Sequence, residues 1–464
     1  MSIVESPVSK VEEIFHKQAA FFHTGKTKDI AFRKQSLKQL FQVLKANESM
    51  LNAAIYEDFK KGEFETYVTE IGLIYKELKY FMKHVERWAL PSAVPTNLAN
   101  MPGKSWISPE PFGTSLIIGA WNYPYELTLG PLIPAIAAGN TAVLKPSELA
   151  PNASAAMAEV INKHFDPQHI AVQEGAVAEA QALLNQPFDK IFFTGSTQVG
   201  KIVMKAAAEH LSHVTLELGG KSPCFVLPDA NITLAAKRIV WGKFLNAGQT
   251  CIAPDYLLVH ESVKAKLVTA LKTEIQALHG DNPEESEALI RIINDRHFQR
   301  LHQLIDPEKV IFGGQTNPST RYIAPTLMDH VTWDDAIMQE EIFGPILPIL
   351  TYSDLSNAKQ AVRKLSKPLA FYVFSRSART AKELTQDMSF GGCTINDTLM
   401  HFTNPALPFG GVGASGMGSY HGKAGFACFS NYKSILKKAT WFEPFMRYAP
   451  YTPFKKKLMK WALE

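Results

Sequence analysis

One cysteine stands where its side chain could do covalent chemistry. Cys251 lies within residues 248–254 (GQTCIAP), a turn of small and polar residues that follows a helix-length segment. Such a thiol is either a small buried apolar group or a nucleophile, because a cysteine is partly thiolate near neutral pH and attacks carbonyl carbons readily. Cys224, Cys393 and Cys428 lack comparable surroundings, and we predict that they are buried and inert.

A carboxylate interrupts an apolar strand upstream of this cysteine. Glu217 is the second residue of 216–221 (LELGGK) and directly precedes Leu218 and two glycines. Burying an unpaired carboxylate is costly, and a pocket of low polarity raises its affinity for a proton. Glu217 is therefore either a general base or one half of a structural salt bridge, for instance with Lys221.

Polar side chains also follow two predicted strands. Asn122 comes shortly after the predicted strand 114–118, where its amide could donate to a developing oxyanion or simply form a turn before a proline. Lys145 and Glu148 end the strand that follows. Open α/β sheets bind ligands at this edge, so we expect these charges beside a ligand site.

Two glycine-rich segments resemble phosphate-binding motifs. Residues 195–201 (GSTQVGK) nearly match a P-loop, but Ile202 replaces the hydroxyl residue that would bind magnesium. This disfavours a nucleoside triphosphatase and leaves either a dinucleotide phosphate at a helix N-terminus or an ordinary turn. Residues 411–416 (GVGASG) match a dinucleotide fingerprint by letter, yet no strand precedes them, so we predict a turn.

The elements around these residues predict an α/β fold. Residues 8–90 show helical periodicity, and the proline-rich segment 91–111 is predicted to be extended. From residue 114 strand-like and helix-like segments alternate, which is typical of a parallel sheet, and a domain boundary is expected near residues 218–220. The predicted strands are 114–118, 141–144, 170–173, 190–193, 214–218, 224–227 and 256–260, and the predicted helices include 232–244 and 262–278.

Composition excludes several classes of protein. The chain has 464 residues, 48 Lys and Arg against 44 Asp and Glu, and 46% hydrophobic residues, which indicates a globular protein with more than one folded unit. The net positive charge lies beyond residue 432, so nucleic acid is not an expected partner. The four cysteines show no zinc spacing, and residues 1–17 lack the apolar core of a signal peptide, so we expect no metal and a cytoplasmic setting.

One uncharged segment is long enough to be mistaken for a membrane span. Residues 127–144 carry no charge, but two prolines and two glycines interrupt them. A short buried helix that ends at Gly139, followed by a strand, explains the same sequence.

Eight short motifs occur in the order typical of the aldehyde dehydrogenase superfamily, and the resemblance extends from about residue 10 to about residue 435. Residues 248–256 (GQTCIAPDY) and 419–423 (SYHGK) are most similar to its class 3 branch, whose members oxidise fatty, medium-chain or aromatic aldehydes. The motifs are FG (112–113), WNYP (121–124), KPSE (145–148), FTGS (193–196), ELGGK (217–221), GQTC (248–251), EIFGP (341–345) and PFGG (408–411).

The resemblance implies a role for each catalytic candidate. Cys251 would add to the aldehyde to form a thiohemiacetal, whose oxyanion the Asn122 side chain and the Cys251 backbone N–H would hold. After hydride transfer to the nicotinamide, Glu217 would activate the water that hydrolyses the thioester. The implied function is NAD(P)-dependent oxidation of medium- or long-chain aliphatic or aromatic aldehydes to carboxylic acids.

The same resemblance implies which residues bind the cofactor. The expected cofactor is NAD, with NADP as an alternative. Lys145 and Glu148 would lie near the adenosine ribose, and Glu341 with Phe343 near the nicotinamide ribose and ring. On their own, Glu340 and Glu341 would be expected in a solvated loop. The residues expected near the pyrophosphate are Gly195, Ser196, Thr197, Gln198, Val199 and Gly200.

The implied fold has a Rossmann-like cofactor domain (1–90 and 111–215), an α/β catalytic domain (216–400) and a protruding oligomerisation hairpin. Segments 91–110 and 401–440 would form the oligomerisation and bridging parts, and 91–111 with 426–436 are the candidates for the hairpin. A homodimer is expected. The basic and aromatic tail 441–464 would pack on its own subunit or dimer mate, or its helix 455–463 would touch an anionic membrane surface.

Two other functions stay open. An acylating dehydrogenase or acyl-phosphate reductase would pass the thioester to another acceptor, although Glu217 favours hydrolysis. The fold could instead serve as a structural or binding protein without turnover, which the presence of all three catalytic candidates disfavours.

Overall fold

The computed structural model describes residues 7–463, so the first part of the predicted segment 1–17 and the last residue of the tail lie outside the described residues. Helices dominate the N-terminal part, as the periodicity predicts. In the second helix, Asp29 caps the N-terminus by accepting hydrogen bonds from the backbone N–H groups of Ala31 and Phe32. Residues at three- and four-residue steps, among them Leu37, Leu40 and Leu44, face the core.

The helices within the described range have the following bounds: α1 (Pro7–His23), α2 (Ile30–Ala46), α3 (Glu48–Phe59), α4 (Glu63–Thr66), α5 (Gly72–Ala89), α6 (Glu126–Ala138), α7 (Pro151–His164), α8 (Val177–Leu184), α9 (Thr197–His210), α10 (Ile232–Phe244), α11 (Glu261–His279), α12 (Asp295–His302), α13 (Ala336–Gln339), α14 (Leu355–Arg363), α15 (Ala378–Asp387), α16 (Gly422–Cys428) and α17 (Pro453–Leu463). A π-helical turn, Tyr67–Ile71, joins α4 to α5.

The strands have these bounds: β1 (Ser92–Val94), β2 (Gly103–Pro111), β3 (Thr114–Ile118), β4 (Thr141–Lys145), β5 (Ile170–Val172), β6 (Lys190–Thr194), β7 (His213–Glu217), β8 (Pro223–Val226), β9 (Tyr256–His260), β10 (Val310–Phe312), β11 (Thr316–Asn317), β12 (Tyr322–Ile323), β13 (Thr326–Met328), β14 (Ile346–Tyr352), β15 (Ala370–Phe374), β16 (Gly392–Ile395), β17 (Gly416–Met417) and β18 (Ser430–Lys438). All seven strands predicted from the sequence are present, with ends that differ by one residue at most.

A six-stranded sheet has the order β17-β7-β6-β3-β4-β5 and is parallel except for β17. Thr194 of β6 pairs with Glu217 of β7, so these strands end side by side at one edge of the sheet. A seven-stranded sheet has the order β10-β13-β14-β9-β8-β15-β16 and is parallel except for β10. The chain passes from the first sheet to the second between Glu217 and Pro223. This mixed α/β architecture with two parallel layers confirms the predicted fold class.

The uncharged segment 127–144 forms the buried helix α6 and the strand β4, as predicted. Gly139 ends the helix with a left-handed φ of 97°. A Cβ at this position would lie 2.7 Å from the Thr27 carbonyl oxygen, so both the turn and the packing require glycine. Within the described part of the chain, no helix is long and apolar enough to cross a membrane.

The two segments proposed for the hairpin are paired in a third sheet, of order β1-β2-β18. The strands β2 and β18 are antiparallel and matched over nine residue pairs, from Gly103 opposite Lys438 to Pro111 opposite Ser430. Most of β18 is exposed, and in this sheet it stands at an edge.

Candidate active site

The turn that carries Cys251 has an unusual backbone. After α10, the residues Asn246, Ala247 and Gly248 have φ angles of 55°, 50° and 70°, all left-handed. Such a conformation costs about 1–3 kcal/mol for a residue other than glycine and persists only where surrounding contacts impose it. Gly248 is obligatory for a second reason, because an added Cβ would lie 2.3 Å from the Gly344 carbonyl oxygen.

Long-range hydrogen bonds impose this conformation. The Asn246 backbone N–H donates to Oε1 of Glu65 at 2.8 Å. The Asn246 side-chain amide donates to the carbonyl oxygens of Asn122, at 2.9 Å, and Gln249, at 3.0 Å. The turn before Cys251 is therefore fixed by residues from distant parts of the chain.

Cys251 itself is half-buried and lies close to two carboxylates. Burial raises the pKa of its thiol well above the usual value, and the negative charges of Glu341 and Glu217 raise it further. Backbone N–H groups of Cys251 and Ile252 oppose the shift by donating toward the sulfur. The thiol, two acids and two backbone donors thus share one neighbourhood.

Glu217 ends β7 and is 3% exposed. Neither of its carboxylate oxygens has a hydrogen-bond partner among the described residues, and burial raises its pKa well above the usual value. The alternative of a salt bridge with Lys221 is wrong: that ammonium lies 2.5 Å from Oδ2 of Asp255 and also donates to the carbonyls of Ile337 and Glu340. A carboxylate with a raised pKa and no hydrogen-bond partner within the described range is suited to act as a general base.

Asn122 lies in the turn after β3 and is buried. Its side-chain amide donates to the Gln249 carbonyl at 3.0 Å, which links it directly to the turn of Cys251. The neighbouring Tyr123 hydroxyl is 2.5 Å from Oγ1 of Thr250. The amide is therefore near the nucleophile candidate, and in this structure a backbone carbonyl accepts its hydrogen bond.

The segment 195–200 follows β6 and forms the N-terminus and first turn of α9, as its motif predicts. Ser196 caps α9 by accepting a hydrogen bond from the Val199 N–H, and no acidic residue occupies the first turn of this 14-residue helix. A Cβ on Gly200 would lie 2.8 Å from Leu218, so this glycine lets α9 approach the sheet. Gln198 and Val199 are exposed at the helix start, which suits an anionic ligand such as a dinucleotide phosphate.

The segment 411–416 is a tight turn, as predicted, and it borders this site. The Thr197 hydroxyl donates to the Ala414 carbonyl at 2.9 Å, and the Leu218 N–H donates to the Ser415 carbonyl at 3.1 Å. The turn thus closes over the ends of α9 and β7 and does not form a second dinucleotide fingerprint.

Lys145 and Glu148 meet beside the end of β4. The Lys145 ammonium is buried, donates to the Pro146 carbonyl at 2.8 Å and lies 3.4 Å from Oε2 of Glu148. Burial lowers the pKa of Lys145, whereas the carboxylate of Glu148 opposes that shift. The Glu148 side chain is partly exposed, so the pair presents polar groups at the ligand-binding edge of the sheet.

Glu341 is not in a solvated loop. Its carboxylate packs on Gly219, where a Cβ would lie 1.9 Å from Oε2, and accepts a hydrogen bond from the Gly220 N–H. Burial and the nearby Asp255 raise the pKa of Glu341 to about 8. The solvated-loop expectation was wrong for Glu341, because the chain folds this acid back onto the two glycines that follow β7, whereas Glu340 is exposed as expected.

Phe343 completes this side of the site. Its backbone is left-handed, with φ 53°, and its ring packs edge-on against Trp121 at 5.5 Å between ring centres. Arg300 fixes the same segment by donating to the carbonyls of Glu341 and Ile342. The segment 341–343 therefore approaches both Gly219 and the turn that contains Asn122.

Several contributing residues were missed by sequence reasoning. Asp255 accepts from Lys221 and, at 2.9 Å, from the Ile342 N–H, and its place four residues after Cys251 was an available signal. Lys243 is fully buried without a hydrogen-bond partner among the described residues, and burial lowers its pKa to about 8. Glu65 gave no sequence signal, since it lies in a charged helical region.

Comparisons with known proteins identify the family of this chain. A profile of the Aldehyde dehydrogenase family matches residues 2–435. The 4,4'-diaponeurosporen-aldehyde dehydrogenase of Staphylococcus aureus (strain NCTC 8325 / PS 47) is 51% identical over 443 residues, 95% of this chain and 96% of that protein. Aldehyde dehydrogenase family 3 member A2 of Mus musculus is 44% identical over 443 residues, 95% of this chain and 91% of that protein.

A solved structure described as the substrate-bound state of Staphylococcus aureus AldH superposes with a TM-score of 0.96. It is 49% identical in sequence, and the match covers 100% of both chains.

Proposed function

We propose that this chain, which belongs to the aldehyde dehydrogenase family and oxidises aldehydes with NAD or NADP, does so through a thioester on Cys251. Water activated by Glu217 would hydrolyse this thioester. The observation that carries this proposal is the convergence of a thiol, an unpartnered buried carboxylate and a side-chain amide at one place. Three separate segments supply them, which supports a shared task over a local structural one.

In the proposed reaction, the Cys251 thiol gives its proton to water, and the resulting Sγ thiolate bonds to the aldehyde carbon. The carbonyl oxygen becomes an oxyanion, which the Asn122 amide and the Cys251 backbone N–H stabilise by donating hydrogen bonds. The Asn122 amide would exchange its present acceptor, the Gln249 carbonyl, for this oxygen. The bound nicotinamide supplies the acceptor for the hydride that leaves this carbon.

Release of the product then depends on Glu217. Its carboxylate takes a proton from water as the water oxygen bonds to the thioester carbon. The bond between the substrate carbon and Sγ breaks, the carboxylic acid leaves, and the proton held by Glu217 returns to the Cys251 thiolate. Because Glu217 is buried and accepts no hydrogen bond from residues 7–463, no competing hydrogen bond within that range has to break before it accepts the proton.

We propose that the cofactor lies along the edge formed by β4, β6 and β7. Its pyrophosphate would contact the start of α9 at residues 195–200, and its adenosine ribose would contact Lys145 and Glu148. Glu341 and Phe343 would contact the nicotinamide ribose and ring. The negative charge of Glu148 favours NAD over NADP, because a 2′-phosphate nearby would be repelled.

We further propose an apolar aldehyde, either medium- or long-chain aliphatic or aromatic, as the substrate. The relative named for 4,4'-diaponeurosporen-aldehyde supports this class, and so does the similarity to a family 3 member. The rings of Trp121 and Phe343, packed against each other beside the nucleophile segment, are suitable contacts for such a substrate.

We propose a cytoplasmic homodimer. The edge strand β18 supports it, because an exposed edge has unpaired backbone groups that another chain can pair with.

We also propose peripheral membrane contact through residues 441–463. This segment combines large exposed aromatic residues with four lysines, which is the composition that anionic lipid surfaces attract.

Replacement of the nucleophile tests the reaction. We expect Cys251→Ala to lower NADH formation from hexanal or benzaldehyde by more than about 10³-fold while leaving NAD binding intact. Cys393→Ala is the matched control, since this cysteine lies on β16 and not on the turn that carries Cys251, and it should keep activity.

Persistent oxidation by Cys251→Ala would refute the assignment. Turnover of the unaltered enzyme that depends on added coenzyme A or phosphate would favour the acylating alternative. Absence of NADH formation with every aldehyde tried would favour a binding protein.

A further inference from the structure

A charged cluster that the proposed reaction does not use lies in the N-terminal helices. Lys61 and Glu70 are both 0% exposed, and their Nζ and Oε1 atoms are 2.6 Å apart. A buried ion pair gives little net stability because both charges lose their hydration. Glu70 also lies in the π-helical turn Tyr67–Ile71, a feature often found at functional sites.

This cluster holds the segment that contains Asn122. Oε2 of Glu70 accepts hydrogen bonds from the N–H groups of Tyr125, at 2.8 Å, and Glu126, at 3.4 Å. The Lys61 ammonium lies over the Tyr123 ring, 4.3 Å from its centre. The residues directly after Asn122 are thus anchored to the ion pair.

The neighbouring Glu65 holds the segment that leads to Cys251. Its Oε1 accepts the hydrogen bond from the backbone N–H of Asn246, which is the first of the three left-handed residues. The Tyr123 hydroxyl, 2.5 Å from Thr250, links the two segments directly. The N-terminal helices therefore contact both halves of the active site.

We infer that Lys61, Glu65 and Glu70 are positioning residues that set the Asn122 turn and the Cys251 turn at the separation the reaction needs. This inference rests on the proposed function of those two residues. Without Glu65, the Asn246 N–H would lack its acceptor, and the left-handed turn would relax. A displacement of about 1 Å at the nucleophile can cost about 10²-fold in rate.

The test compares two substitutions of Glu65. We expect Glu65→Leu to lower kcat by about 10- to 100-fold and to leave KM for NAD within about threefold, because the cofactor residues lie elsewhere. Glu65→Gln keeps an oxygen acceptor and should restore kcat to within about threefold of the unaltered enzyme. Glu63→Leu is the matched control, since Glu63 is an exposed acid on the same short helix.

A second measurement separates positioning from loss of stability. The rate at which iodoacetamide alkylates Cys251 should follow a pH profile that moves to lower pH in Glu65→Leu. Displacement would reduce the burial of the thiol, which is the main cause of its raised pKa, and would carry it away from the charges of Glu341 and Glu217, which raise the pKa further. A loss of stability alone would lower Tm without moving this profile.

Unchanged kcat and an unchanged alkylation profile in Glu65→Leu would overturn the inference, as would a loss in Glu65→Gln as large as in Glu65→Leu. Should Glu65→Leu fail to fold, Lys61→Gln tests the other anchor because it removes the ammonium over the Tyr123 ring, and undiminished kcat in that variant would contradict the inference. Failure of the proposed function is distinguishable, because Cys251→Ala would then stay active.

Discussion

At the residue scale, the site combines an acid and a thiol that both hold their protons more strongly than usual. Burial raises the pKa of Glu217, and burial together with nearby carboxylates raises the pKa of Cys251. Both groups act in their deprotonated forms, as base and as nucleophile. Below its raised pKa, Glu217 is protonated and cannot accept a proton, so the rate of hydrolysis should increase as the pH rises.

Substitution of Glu217 isolates this step. We expect Glu217→Gln to keep a burst of NADH equal to the number of active sites, because the thioester still forms. Steady-state turnover should fall by about 10²- to 10⁴-fold, and its increase with pH should flatten. Stopped-flow absorbance across pH measures both quantities.

Glu209→Gln, an exposed acid on α9, is the control and should behave like the unaltered enzyme. A Glu217→Gln variant with normal steady-state turnover would show that another group, with Glu341 as the nearest candidate, activates the water.

At the scale of elements, the site is assembled from the ends of segments. Strands β4, β6 and β7 end at one edge, the helix α9 begins there, and the turn after α10 brings Cys251 to the same place. The third sheet lies apart from this chemistry. Its strand β18 has a partner on one side only, in contrast to β2, which is paired on both sides.

If the proposed dimer forms through the edge of β18, substitutions on this strand should weaken the dimer. Replacing the exposed Tyr432 and Leu436 together by aspartate should weaken the proposed dimer by at least about tenfold, because charged residues of low β-propensity oppose strand pairing. Lys104→Asp on the central strand β2 is the control. Sedimentation velocity at several concentrations measures the change, and equal dimer content in the two variants would argue against this interface.

At the scale of the whole molecule, positive charge and exposed aromatic area are concentrated in the C-terminal tail. The helix α17 contains Lys455, Lys456, Lys457 and Lys460 and packs beside the short turn Leu98–Asn100. The large exposed apolar residues of the tail are Trp441, Phe442, Phe445, Tyr448, Tyr451, Phe454, Trp461 and Leu463. No such concentration of both features is found elsewhere in the described residues.

Truncation tests the membrane contact. A chain that ends at Thr440 should lose co-sedimentation with phosphatidylserine vesicles, whereas the full chain should bind and be released as salt increases, since about 1 kcal/mol per lysine is electrostatic. Activity toward soluble benzaldehyde should stay within about twofold, because the site lies outside the tail. Equal vesicle binding by the two chains would remove the proposal.

Local sequence patterns were enough to locate the helices, the strands and the chemical groups of the site. Periodicity and turn residues act over a few neighbours, which is why α10, β9 and the glycine end of α6 could be located from the sequence. The ordered motifs located Cys251, Glu217 and Asn122 and indicated the family.

The pairing of side chains that are distant in sequence became evident only from the three-dimensional packing. Lys221 pairs with Asp255 instead of Glu217, Glu341 turns inward onto Gly219, and Glu65 bonds to Asn246 across 181 residues of sequence. Hydrogen bonds over such separations depend on how elements pack, and no local pattern encodes them. The protonation of Cys251 and Glu217 also follows from that packing, because burial and neighbouring charges set the pKa of each group.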